Sequence, residues 1–307
     1  MGEIVEIVTG GGARTGGTEV NFRISGNSTE GKVRELDPAT NRFVEVAAFS
    51  PADEQAPASY AQVRADADTR YRVTLAEGAT SWQIVNALRA VDFLDGDVAH
   101  MPDEGSLAPD SYEVLAGADR GELLDRMQLA QSIRLQDAWQ NRADGLPIGS
   151  PETALILASI AEKETGWAAE RAQVASVFIN RLRLGMPLQS DPTVIYGVTS
   201  GQNVLGRGLR QSELRKKTPY NTYLIDGLPP TPIANPGIEA IEAVLDPADT
   251  GFIFFVADGN GGHAFAVTLA EHNRNVAAWR EIEAARGGKS GLGRVWAETL
   301  KDREGGG

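Results

Sequence analysis

The side chains best suited to acid–base chemistry are Glu162 and Glu164, in the stretch Ala158-Ser159-Ile160-Ala161-Glu162-Lys163-Glu164-Thr165. They close a segment, Ala154 to Ala161, that is apolar nearly all round, so its helix is expected to be buried. Two residues apart on a helix, the glutamates point to different sides. Glu164 falls in line with Leu157, Ile160 and Ala161; Glu162 falls in line with Leu155, Ala158 and Ser159. Burial disfavours a charged carboxylate, and the negative end of the helix dipole disfavours it further, so both groups should titrate high. A carboxyl raised toward neutrality is what a general acid needs. The same pattern also suits a solvated helix end paired with Lys163 or Arg171, and periodicity does not choose between the glutamates.

Other chemistries find less support. With no cysteine, thiolate nucleophiles and disulfide frameworks are excluded, and no serine-centred elbow occurs. His263 and His272 lie nine apart, which is no standard metal-ligand spacing, and these two with His100 read as polar or packed side chains. His263, in Gly261-Gly262-His263-Ala264-Phe265, could also orient a neighbouring group. Gly288-Lys289-Ser290 imitates the end of a phosphate loop, but Glu283 stands where the first glycine is required. No metal or cofactor is therefore expected. A net charge of −13 argues against a nucleic-acid partner. The chain has no run of apolar residues long enough to span a membrane. Met1 to Val8 lacks a signal-peptide pattern, so the expectation is a cytoplasmic protein or one missing an upstream segment.

The elements that must hold these groups can be read from caps and periodicity. Residues 18–48 alternate weakly and predict a hairpin or two, and residues 49–70, rich in Ala, Pro, Asp and Ser, read as a linker or surface loop. Tyr71 to Leu75 is a strand, Glu77-Gly78 a turn, and Thr80 or Ser81 caps a helix carrying Ile84, Val85 and Leu88. Asp119 caps a helix over about 119–141. Ser150-Pro151-Glu152 is a strong start for the helix that carries the glutamates, which should stop at Gly166. A helix over about 168–184 follows, and then a mostly irregular stretch at 186–236; loops of that length usually carry function. A helix at 237–245, a strand from Phe252 to Val256, a glycine loop and a helix at 268–285 complete the reading, with a frayed tail at 286–307.

Several long blocks in order resemble one family. The acidic stretch is followed by Glu170-Arg171, Val174 to Leu182, and Gly185-Met186-Pro187-Leu188-Gln189-Ser190-Asp191-Pro192-Thr193-Val194-Ile195-Tyr196-Gly197. Then come Thr218-Pro219-Tyr220-Asn221-Thr222-Tyr223, Gly227-Leu228-Pro229-Pro230, Ile233 to Gly237, Phe255 to Gly259, Gly261 to Phe265 and His272-Asn273. Together these resemble the endolytic murein transglycosylases, the MltG or YceG-like family, over about residues 71–285. The resemblance implies an α+β fold: a small LysM-like unit followed by a mixed, helix-rich catalytic domain with a small sheet. It divides the chain into 1–70, strands and a linker left from an upstream unit; 71–118, the LysM-like accessory unit; 119–285, the catalytic domain; and the tail.

The family's catalytic acid, the glutamate of the Lys-Glu-Thr step, corresponds to Glu164. The implied reaction is lytic cleavage of the β-1,4 bond between N-acetylmuramic acid and N-acetylglucosamine, leaving 1,6-anhydro ends and terminating growing strands. Gln189, Asp191, Tyr220, Asn221, Thr222 and Tyr223 are expected to bind the sugars. Arg207, Arg210, Arg215, Lys216 and Lys217 either meet anionic stem peptides or form a solvated face. Implied partners are peptidoglycan strands and cell-wall synthases, on the periplasmic side of the inner membrane. Family members carry an N-terminal transmembrane anchor and two LysM-like units; here no such helix and only one unit are evident, so a truncated chain is expected. The remaining unit, 71–101, is expected to orient long strands. Two other readings stay open: a hydrolase pairing Glu164 with Asp191 or Glu162, and a non-catalytic peptidoglycan-binding protein.

Overall fold

The structure, a computed structural model, describes residues 17–26, 28–51 and 56–286. Residues 1–9, the Gly288-Lys289-Ser290 run and the tail beyond residue 286 lie outside the described residues. The first half builds β1 (Thr18–Ile24), β2 (Thr29–Asp37), β3 (Arg42–Phe49), α1 (Ala58–Ala65), β4 (Arg70–Leu75), α2 (Ser81–Arg89), β5 (Leu94–Asp95), β6 (Ser111–Val114) and β7 (Ala118–Asp119). A five-stranded sheet has the order β3-β2-β1-β4-β6. β1 runs antiparallel to β2 and parallel to β4.

Strand period two decides which side chains go inside. Val20, Phe22 and Ile24 of β1 and Tyr71, Val73 and Leu75 of β4 are all buried. Tyr60 and Val63 of α1 and Ile84, Val85 and Leu88 of α2 join the same core, which extends to Met127. The sheet thus crosses residue 70, where sequence composition suggested a boundary. The stretch 49–70 is more than a linker, because α1 lies within it. Only Tyr60 and Val63 of that helix are buried, too few apolar positions to show against its Ala- and Asp-rich surroundings. β2 was equally faint, since Val33 is its one buried large apolar side chain.

The second half holds α3 (Arg120–Gln140), α4 (Pro151–Glu164), α5 (Ala168–Arg183), α6 (Asp191–Thr199), α7 (Gln211–Leu214), α8 (Ile238–Leu245), β8 (Phe254–Ala257), β9 (His263–Ala266) and α9 (Leu269–Ala285). The fold is α+β. α4 starts as its sequence dictates, with Ser150 Oγ accepting from Thr153 N and Pro151 in the first turn. Ala154, Leu157, Ala158, Ile160 and Ala161 are fully buried, so α4 is the central rod on which α5 and α8 pack. The irregular stretch contains more structure than expected. α6 begins at Asp191-Pro192, a pair that reads as a turn, and its run of β-branched residues lowers helix propensity. β8 pairs antiparallel with β9, a strand in the gap between the glycine loop and the last helix that sequence patterning does not assign.

The two halves are stitched together at Asn235, which is fully buried. Its Nδ2 donates to Ala79 O at 3.0 Å, and its Oδ1 accepts from Leu107 N at 2.8 Å. Its backbone exchanges hydrogen bonds with Ala79 O and Gly78 N. Thr80 Oγ1 donates to Gly201 O at 2.6 Å, and Glu77 lies 3.7 Å from Arg171.

Candidate active site

A cleft of about 490 Å³ opens where these parts meet. Its lining includes Lys163, Glu164 and Asp191 on one side, Thr80 and Gln83 of α2 on another, and Phe255, Val256 and His263 of the β8–β9 hairpin. The first half of the chain therefore forms part of the cleft wall itself.

The geometry separates the two glutamates. Glu162 turns away from the cleft. Its Oε2 accepts from Gly237 N at 3.0 Å, at the start of α8, and Arg171 stands 4.0 Å off. It ties α4 to α8, although burial raises its pKa too. Glu164 faces the cleft at the end of α4. Ser190 Oγ donates to its Oε1 at 2.5 Å. Burial pushes its carboxyl up to about 7; the hydrogen bond from Ser190 opposes this, the like charge of Asp191 adds to it, and Arg181 opposes it. A carboxyl that titrates there is present in both protonation states near neutrality and can both give and take a proton.

Of the other expected site residues, Asp191 lines the cleft; it accepts from Tyr223 Oη at 2.7 Å, and burial raises its pKa against that bond. Gln189 has a positive φ of 51°, donates N–H to Thr222 O, and accepts from Arg181 through its side chain. Tyr220 packs on Tyr196, ring centroids 5.0 Å apart, and its hydroxyl pairs with Thr231. Asn221 and Thr222 are placed differently from the expectation of sugar contact, since both are fully buried. Asn221 Nδ2 donates to Leu214 O and Lys216 O, and Thr222 Oγ1 accepts from Ser190 N at 2.9 Å. Their polar groups close the loop that presents Ser190 and Asp191. Tyr223 is buried as well and donates its hydroxyl to Asp191 at the cleft.

Behind this loop lies Arg181, also buried. Its guanidinium donates to Ile253 O at 2.7 Å and Leu188 O at 2.8 Å, clamping the residue that leads into β8 to the segment before Ser190. Of the basic run, Arg207 lines the cleft and pairs with Glu213, while Arg210, Arg215, Lys216 and Lys217 are exposed. His263 Nδ1 lies 2.8 Å from Glu170, and His272 is stacked on Phe254, with burial pushing its pKa down to about 4.

Residues outside the expected catalytic and binding set also shape the site. Ser190 holds Glu164 directly. Lys163 Nζ donates to Gly78 O at 3.1 Å. Glu104 accepts from Ser81 N at 2.8 Å and from Tyr196 Oη at 3.0 Å, fixing a cleft tyrosine from the accessory half. The only sequence signal for Ser190 is its place before Asp191-Pro192, as the residue preceding α6.

The chain is similar to several known proteins. The YceG-like family model matches residues 49–278. The chain is similar to an endolytic murein transglycosylase of Bacillus subtilis, 34% identical over 60% of this chain and 49% of that one. It is also similar to one of Streptococcus pneumoniae, 32% identical over 57% of this chain and 32% of that one. The match thus spans about half, or less, of the length of these relatives. A crystal structure of a yceG-like protein from Listeria monocytogenes superposes with a TM-score of 0.56 at 28% identity, covering 66% of this chain and 75% of that one. By the span and agreement of these matches, the chain belongs to the YceG-like family.

Proposed function

We propose that this chain is a peptidoglycan lytic transglycosylase that cuts glycan strands internally, with Glu164 as its single catalytic acid/base. The observation that carries the reading is the state of Glu164: a cleft carboxyl held by Ser190 and raised to about 7. Protonated Glu164 donates to the glycosidic oxygen as the bond to C1 of N-acetylmuramic acid breaks. The neighbouring acetamido group stabilises the oxocarbenium-like centre. The Glu164 carboxylate then takes the proton of the muramyl 6-hydroxyl as its oxygen bonds to C1. A 1,6-anhydro end results, no water is consumed, and Glu164 returns to its starting form. The charge of Asp191 adds to the effect of burial in raising the pKa of Glu164, and Gln189 and Tyr220 brace the cleft wall through Thr222 and Tyr196. The work is done outside the cytoplasm, on the periplasmic face of the inner membrane beside cell-wall synthases, where it ends strand growth.

A second reading keeps Glu164 as acid and makes Asp191 the partner carboxylate of a hydrolase, since ordinary glycosidases need two carboxylates. Asp191 lines the same cleft, which favours it over Glu162 for that role. Mass analysis of products from purified glycan strands decides between them. Anhydro ends, lighter by one water than reducing ends, are expected from the wild type, and none from Glu164→Gln. Reducing ends would establish the hydrolase.

A further inference from the structure

Beyond Glu164 the chain turns sharply and leaves Trp167, a large apolar side chain, 50% exposed. We propose that Trp167 and the glycine loop from Asp258 to Gly262 form a sugar subsite continuous with the cleft, in which the indole stacks on a pyranose ring of the strand. The proposal rests on the reading of the cleft as a glycan site.

Three observations carry it. First, the residue is anchored at its main chain. The backbone N–H of Trp167 donates to Thr165 Oγ1 at 3.0 Å, and Thr165 is itself buried. The ring edge sits against Gly262: a Cβ there would lie 2.5 Å from the indole and 2.6 Å from Glu170 Oε1. Only a glycine allows that seat. Second, the neighbouring loop is cross-linked by hydrogen bonds. Asp258 Oδ1 accepts from Asn260 N at 2.6 Å and Gly262 N at 3.0 Å. Glu170 takes His263 N at 3.1 Å and His263 Nδ1 at 2.8 Å. Third, the platform has open space in the right place. A groove of about 360 Å³ is lined by Gly166, Trp167, Asn260 and Gly261. His263, which follows this loop, lines the cleft together with Glu164. Trp167 follows Glu164 by three residues, so their backbones are at most about 11 Å apart, within reach of neighbouring rings on one strand.

A preorganised indole with glycines on either side suits a pyranose, whose C–H face is apolar and whose rim carries hydroxyl and acetamido groups. The exposed Asn260 stands at the groove to meet that rim. Aromatic faces add binding beyond the area they bury, and a rigid one loses little entropy on doing so.

The test uses the full chain carrying Glu164→Gln, so that binding is measured without turnover. Chito-oligosaccharides of increasing length, and purified glycan strands, are titrated into this parent and into its Trp167→Ala and Trp167→Phe derivatives. Trp167→Ala should weaken binding of strands and longer oligosaccharides roughly three- to tenfold. It should leave the shortest ligand and the thermal midpoint unchanged, and Trp167→Phe should retain most of the affinity. Equal affinity of parent and Trp167→Ala at every length would overturn the subsite, as would a loss that is the same for the shortest ligand. In the otherwise wild-type chain, cleavage that survives Glu164→Gln while length-dependent binding still needs Trp167 would refute the catalytic reading alone. No glycan binding by any variant would refute both.

Discussion

The carboxyl of Glu164 sets how this protein responds to pH. Its native pKa of about 7 lies above the 4.5 of an ordinary glutamate. The folded state therefore holds this proton more tightly than the unfolded chain does, and stability is lost as pH rises from about 4.5 through 7. At 1.36 kcal/mol per pKa unit the ionised group costs on the order of 3 kcal/mol. Glu164→Gln is neutral at every pH and keeps an oxygen for Ser190. Its thermal midpoint should exceed that of the wild type at pH 8 and converge with it near pH 4; a midpoint below the wild type at pH 8 would contradict the buried, raised carboxyl. Activity has the opposite requirement. A general acid/base contributes roughly 10²–10⁴-fold to rate, so Glu164→Gln should lose at least that much while still binding glycan. Because the Asp191 charge raises the pKa of Glu164, Asp191→Asn should move the alkaline limb of the pH–rate profile to lower pH. Glu162→Gln should leave that profile in place. At this scale the sequence was partly legible. The apolar face of α4 announced a buried carboxyl, but two glutamates fitted it. Only the resemblance to a family picked Glu164, because the choice turns on which side of α4 meets α8 and which meets the loop before α6.

Among the elements, some of those the sequence announced carry signals at their own ends, while α5 and α8 have no side-chain cap and were legible from their apolar residues. α2, α3 and α4 have Thr80, Asp119 and Ser150 as capping side chains. α6 has no side-chain cap and a low-propensity interior, and tertiary contacts hold it in place. Asn221 and Thr222 looked like sugar ligands for a related reason: polar residues in a long loop read the same whether they face a ligand or another loop segment. Asn235 shows the same ambiguity, as a residue that reads as a turn former yet joins both halves. Asn235→Ala removes the acceptor for Leu107 N inside the protein, and an unsatisfied buried donor costs about 1–3 kcal/mol. Its urea midpoint should fall, with the slope of the transition unchanged. An unchanged midpoint would mean that the seam does not contribute to stability.

For the molecule as a whole, the first half contributes part of the cleft wall. Gly26, Thr80 and Gln83 line the cleft. Deleting residues 1–101 should therefore abolish cleavage of short oligomers along with long strands, measured on both substrates; retention of oligomer cleavage would restore a purely orienting role. Composition could bound the size of such a chain but could not show this, because the parallel pairing of β1 with β4 joins segments on either side of an apparent linker. The seam also has a consequence in time. Asn235 meets Leu107 across 128 positions of chain and Ala79 across 156, among the most distant pairings in the fold. Loop closure disfavours such contacts until nearer ones have formed, and chains rich in them fold slowly. The helices around α4 can assemble from neighbours in sequence; the cleft cannot. After dilution from denaturant, helical circular dichroism should return first and catalytic turnover only with a later phase, so that a newly made chain passes through a helical state that does not yet cut.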